Sequence, residues 1–288
     1  MIEVVPARYN GALQKYYRGA DHLNDIARIV AAYEHEPRPW RLECEDDSGE
    51  KVYRAYFDKP VPAIGCEVGD FLHNMRSSLD VATCTLVELY APDAKLDPVQ
   101  FPISDCTQLN SRDRARVLNI PIAVEVMQAI RDRSHGALLA LRNLSNQDKH
   151  RLISTVVVRA QAASIIIDEA TNTASIHCSP DVEPELWNTP LKSGDVIGRG
   201  RLPGAGVNFP LALMVDGQPI KLTVLNDILH AVGEILNYLA YGVWLERPQS
   251  HWAAGPSNYR QSVQGTARAS ADCSPLSQAE PKAVPRPF

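Results

Sequence analysis

Asp70-Phe71-Leu72-His73-Asn74-Met75-Arg76-Ser77-Ser78-Leu79-Asp80-Val81 is the stretch on which the reading of this chain turns. At about 100° per residue, Leu72, Met75, Leu79, Ala82 and Leu86 share one face, the pattern of an amphipathic helix over about Glu67 to Tyr90. Asp70, His73, Asn74, Ser77 and Asp80 share the opposite face, with Arg76 on its flank. One turn separates His73 from Ser77 and Arg76 from Asp80. That face lacks the Lys/Glu excess of a solvated helix and continues into Val81 and Cys84, which favours a polar seam within a helical bundle. The alternative is an ordinary exposed Arg–Asp pair.

On the N-terminal side, Leu13, Tyr16, Ala20, Leu23, Ala27 and Val30 mark a helix from about Asn10 to Glu36, stopped by Pro37 and Pro39. Trp40–Glu45 and Lys51–Phe57 flank Asp46-Asp47-Ser48-Gly49, the pattern of a β-hairpin. On the C-terminal side, Asp93 to Asn119 reads as irregular, with one helical turn near Arg112–Val117. Two short helices are expected at Ala123–Arg131 and Gly136–Leu144, then a helical turn over Asn146–Leu152 capped by Ser145.

From Ser154 to Val215 the pattern is β, with strand-like runs at 156–158, 164–167 and 174–177 and a turn at 169–172. Two more strands are expected within 195–201 and 207–215. A long helix, about Thr223 to Glu246, carries the apolar seam Leu222, Leu225, Leu229, Val232, Leu236, Leu239 and Val243. The fold class is therefore α+β: a helical bundle core with an N-terminal β-hairpin and a β-rich segment before a long C-terminal helix. We expect a single domain over 1–247, with the β segment at about 154–215. Residues 248–288 hold six prolines and few large apolar side chains, and read as a disordered tail.

The 288 residues carry a net charge of −5, 45% hydrophobic and 22% charged residues. This excludes collagen-like and disulfide-rich classes and argues against bulk-charge binding of nucleic acid, though not against a local basic site. No run nears the ~18 apolar residues of a membrane span, and Met1–Arg8 lacks the form of a signal peptide. The six cysteines form no CxxC pair, and His177 and Cys178, adjacent on a strand, point to opposite faces. Reduced thiols, a cytoplasmic location and no membrane partner are the expectations.

Two segments hold candidate chemistry. Asp227, His230, Glu234, Asn237 and Tyr241 form a polar stripe on the last helix. If it lies beside the first stripe, His73, Arg76, Asp80, His230 and Glu234 converge. In Asp148-Lys149-His150-Arg151, Asp148 suits a helix start and the following cations suit an anion or phosphate.

Gly69-Asp70-Phe71-Leu72-His73-Asn74-Met75-Arg76-Ser77-Ser78-Leu79-Asp80, then Gln100-Phe101-Pro102-Ile103, then Asp148-Lys149-His150-Arg151 resembles a family of uncharacterised bacterial proteins. These read G-D-x-L-H-N-L-R-S-A-L-D-H, Q-F-P-I and D-K-H-R in the same order. The resemblance covers about residues 10–155 and implies no activity. The R-S-A-L-D-H block is in turn similar to HEPN domains, helical modules that often cleave RNA without metal, in which an Arg and a His act on the ribose 2′-hydroxyl and the phosphate. Arg76 matches that pattern, but Val81 stands in the position of the His and can neither transfer a proton nor donate a hydrogen bond.

The HEPN similarity implies a bacterial cytosolic HEPN-like protein acting on RNA, or in defence or stress, with a degenerate site. Its centre would hold Arg76, Asp80 and His150, with His73 as a replacement base and Lys149 and Arg151 binding substrate. No metal and no cofactor are expected. RNA or a nucleotide is the partner class, and the apolar seam would serve a homodimer as well as a core. Two alternatives stand beside it: a non-enzymatic binding or structural module built on the same polar network, and a metal-dependent hydrolase using His73, His230 and carboxylates.

Overall fold

A computed structural model describes residues 7–35, 38–150, 153–158, 163–168, 173–178, 190–199, 209–242 and 244. The architecture is α+β, in the order α1 (Asn10–Glu34), β1 (Trp40–Asp47), β2 (Glu50–Phe57), α2 (Gly65–Tyr90), α3 (Ser111–Ala115), α4 (Pro121–His150), β3 (Ser154–Val157), β4 (Ala163–Asp168), β5 (Thr173–Cys178), β6 (Asp195–Arg199), β7 (Leu211–Val215), β8 (Gln218–Lys221) and α5 (Thr223–Tyr241). The chain divides into two compact units, each made of separate stretches.

One unit comprises Met1–Tyr16, Met75–Arg142 and Ile228–Phe288, and its described elements are helical. Met75, Leu79 and Leu86 from α2, Met127 and Ile130 from α4, and Leu236 from α5 are all buried, as the 3.6-residue spacing of apolar positions requires. Of the expected seam on α5, Val232, Leu236 and Leu239 are buried and Leu229 is half-buried. A long segment, residues 91–120, joins α2 to α4 with only α3 as regular structure. It nevertheless buries Val99, Phe101, Ile103, Leu109 and Val117.

The other unit comprises Tyr17–Asn74 and Asn143–Asp227 and contains every described strand. Its sheets are antiparallel, in the orders β1-β2-β6, β3-β7-β8 and β4-β5. The first hairpin closes through Ser48 and Gly49, both at positive φ, and Asp46 accepts a hydrogen bond from the Gly49 N–H at 2.9 Å. The hairpin does not stand apart from the later β segment, because β6 pairs with β2. Phe209 sits at the centre of a cluster with Tyr33, Ala55, Val157 and Leu211. The Trp40 and Phe57 rings meet its ring edge-on, at 5.0 and 5.7 Å between centroids.

Several boundaries differ from the sequence expectation. The two short helices expected within 123–144 and the helical turn after Ser145 are one helix, α4, of 30 residues. Gly136 lies inside it, exposed, with open space around its Cα, so the ordinary cost of a helical glycine is all it adds. Ser145 is an interior residue of α4, not a cap; its hydroxyl is buried with no partner among the described residues. Strand β8 was not expected. Asp216 and Gly217, both at positive φ, make the two-residue turn that creates it. The last helix ends at Tyr241. The turn at 169–172 and the tail at 248–288 lie outside the described residues.

Replacing Phe209 by Ala should remove the shared contact of the aromatic cluster. The expected loss is about 3–5 kcal/mol of stability, read by chemical denaturation; a loss below about 1 kcal/mol would show that the cluster repacks.

Candidate functional site

Arg76 and Asp80 lie one turn apart on α2, and both are turned onto the backbone of Phe101. Arg76 Nη2 donates to the Phe101 carbonyl at 2.8 Å, and Asp80 Oδ1 accepts from the Phe101 N–H at 2.8 Å. Their mutual contact, Arg76 Nε to Asp80 Oδ2, is longer, at 3.4 Å. The side chains keep 23% and 33% of their surface. The pair thus satisfies both polar groups of one residue whose side chain is buried. The preceding residue is held too: the Gln100 N–H donates to the Arg116 carbonyl at 3.2 Å.

A second, deeper anchor was not foreseen. Arg131 and Asp113 form an ion pair at 2.9 Å with side chains only 3% and 2% exposed. The same guanidinium reaches the Pro102 carbonyl at 2.7 Å, Ser104 Oγ at 2.8 Å and the Cys106 carbonyl at 3.1 Å. Asp113 also accepts from Ser104 at 2.6 Å, and its N–H is capped by Asn110 Oδ1 at 2.9 Å. This charge pair is fully hydrogen-bonded, the condition under which a buried pair is tolerated. The signal was present in the sequence. Met127, Ile130, Ser134 and Leu138 make one stripe on a continuous helix, and Arg131 falls on it. Reading two short helices broke the stripe at that residue.

In the strand-containing unit, Asp148 lies against Gly69. A Cβ built on Gly69 would come within 2.8 Å of both Asp148 carboxylate oxygens, so a larger residue there requires the Asp148 side chain to shift. Burial first, and then the negative charge of Asp70, hold the Asp148 carboxyl above its ordinary range. Of the other expected site residues, His73 and Lys149 are exposed. The His150 side chain and Arg151 lie outside the described residues.

Three quoted stretches of sequence are thus joined by two contacts. Gly69 meets Asp148, and Arg76 with Asp80 meets Phe101. Glu234 is buried and pairs with Arg133 at 3.7 Å, while His230 is exposed. Val81, in the position where the HEPN pattern has its His, packs near Gly11 of α1, 3.5 Å from where a Cβ on that glycine would lie. Among the described residues, no group of three or more His, Cys, Asp or Glu could hold a metal ion. No helix among them is long and apolar enough to cross a membrane. Compared with family models, curated proteins and solved structures, the chain has no match.

Two outcomes follow for the Gly69–Asp148 contact. Alanine in place of a helical glycine normally adds about 1 kcal/mol. Here Gly69→Ala should stabilise the wild type less than it stabilises the Asp148→Ala background, a coupling readable in a double-mutant cycle of denaturation midpoints. The raised folded-state pKa of Asp148 favours its neutral form. Its contribution is therefore fully present below the ordinary carboxylate pKa and lost as pH rises through the folded value. Asp148→Asn should accordingly raise Tm at pH 7, with the gain shrinking toward about pH 4; a gain independent of pH would point to packing instead.

Proposed function

We propose that this chain is a non-enzymatic binding module in which the Arg76–Asp80 pair is a structural latch. One observation carries the reading: the guanidinium and the carboxylate are both committed to the Phe101 peptide groups. A catalytic Arg and its acidic partner need faces turned toward a substrate, and these two are turned toward their own chain. Val81 agrees with this, since a half-buried valine against α1 offers no proton to a reacting oxygen. The RNA-cleaving reading drawn from HEPN domains needs Arg76 available for phosphate and a base beside it, so it is the weaker of the two.

The test is RNA cleavage by the full chain, with and without EDTA, for wild type, Val81→His and Arg76→Ala, alongside denaturation of each. No cleavage is expected from any of them, and Arg76→Ala should lose about 1–3 kcal/mol of stability, since charged hydrogen bonds to a buried segment are removed. Cleavage by wild type or by Val81→His, abolished in a stably folded Arg76→Ala, would overturn the proposal.

A further inference from the structure

In the β1-β2-β6 sheet, β1 is an edge strand. On β2, the Ala55 carbonyl accepts from the Gly194 N–H at 2.7 Å and the Phe57 N–H donates to Ser193 Oγ at 3.1 Å. The odd-numbered residues of β2 therefore turn their backbone groups toward β6. Their partners on β1 are Trp40, Leu42, Cys44 and Asp46. Residues so paired in an antiparallel ladder point their own N–H and C=O groups away from the neighbouring strand. Leu42, Cys44 and Asp46 thus present donors and acceptors along the outer side of β1, and among the described residues these groups have no backbone partner.

The other edges of the three-stranded sheets are built differently. β6 is five residues long and joins β2 across a register shift. β8 is four residues long and contains Pro219. β3 is met by the Val158–Pro190 bridge and by the Leu191 N–H, which donates to the Val157 carbonyl at 2.9 Å. Short length, irregular register, proline and cover each close an edge against a further strand. Among the described residues β1 has none of these: it runs eight residues in unbroken register with β2.

What β1 carries is negative charge. Glu43, Glu45 and Asp47 alternate along one face and Asp46 lies on the other, all of them exposed, and Arg41 is the one basic residue of the strand. Arg41 is shared between Glu43, at 3.0 Å, and Asp58, and Arg54 of β2 reaches Glu45 at 3.0 Å. Exposed pairs of this kind are weak and exchange partners at little cost. A second copy of β1 would set carboxylates against carboxylates, which repel across a strand pair. A strand with cations at alternate positions meets attraction at the same places.

We propose that the outer edge of β1 docks an extended basic peptide as an added strand, with main-chain bonds to Leu42, Cys44 and Asp46 and its cations over Glu43, Glu45 and Asp47. This gives the binding module proposed above a partner class. It rests on that reading for its purpose, and its geometry uses none of the residues of the Arg76–Asp80 latch.

Fluorescence anisotropy of the full chain tests it, with a labelled peptide of Lys-Thr repeats as the probe and Glu-Thr repeats as its counterpart. The basic peptide should bind and the acidic one should not. Cys44→Pro removes a donor that faces away from β2 and leaves the β1–β2 ladder bonds in place. It should weaken the basic peptide by about 10-fold, as for the loss of one hydrogen bond. Glu43→Gln with Glu45→Gln should weaken it by about 5-fold at low salt and flatten its salt dependence. Hydrogen exchange gives a readout without a substitution: amides within 41–47 should become protected when the basic peptide is added. No binding by wild type, equal binding of the acidic peptide, binding indifferent to a folded Cys44→Pro, or binding without protection of 41–47 would each overturn the docking edge. The Arg76–Asp80 latch would still stand, since RNA cleavage tests it separately. A wild-type dimer that Cys44→Pro abolishes would assign the edge to a second copy and overturn the basic-peptide assignment.

Discussion

A folded chain cannot bury irregular backbone without supplying hydrogen-bond partners for it, and residues 91–120 are where this protein meets that constraint. The segment sends Val99, Phe101, Ile103, Leu109 and Val117 into the helical unit, yet it contains only the five-residue α3 as regular structure. Its carbonyls and N–H groups are met by side chains from the flanking helices. Arg76 and Asp80 serve Phe101 from α2. Arg131 serves Pro102 and Cys106 from α4. Gln128, also on α4, donates to the Thr107 carbonyl at 3.0 Å and accepts from the Leu109 N–H at 2.9 Å. The apolar side chains can be buried because these polar partners travel in with them.

Much of the architecture was legible because its signals are local. The apolar stripes of α1, α2 and α5, and the paired runs around Ser48-Gly49, each specify an element without reference to the rest of the chain. The failures also have local causes. Two short helices at 123–131 and 136–144 leave Arg131 at a helix end, whereas the continuous α4 carries it inside a buried stripe. Asp216-Gly217 is a strong hairpin signal that was passed over at the end of an apolar run. The Arg76–Asp80 pairing followed from its spacing on a helix. That both side chains close on Phe101 did not, because the partner is backbone and lies 25 and 21 residues away.

Stretches rich in Arg, Asp and His invite a catalytic reading, since these are the residues that move protons and hold phosphate. Here Arg76 and Asp80, within one such stretch, hold the two peptide groups of Phe101, and Asp148, within another, lies in the space that Gly69 leaves open. Spacing alone does not separate the two roles. The atom each side chain reaches does.

The tethers that hold the 91–120 segment also bear on how the native state comes apart. Those from Arg76, Asp80 and Arg131 to backbone groups span 21 to 29 residues of sequence, so each closes a loop between a helix and the irregular segment. A tether still unmade in the folding transition state slows unfolding and leaves the folding rate alone, whereas one already made there speeds folding. Because the tethers join the 91–120 segment to α2 on one side and to α4 on the other, the segment cannot leave either helix without giving up charged hydrogen bonds.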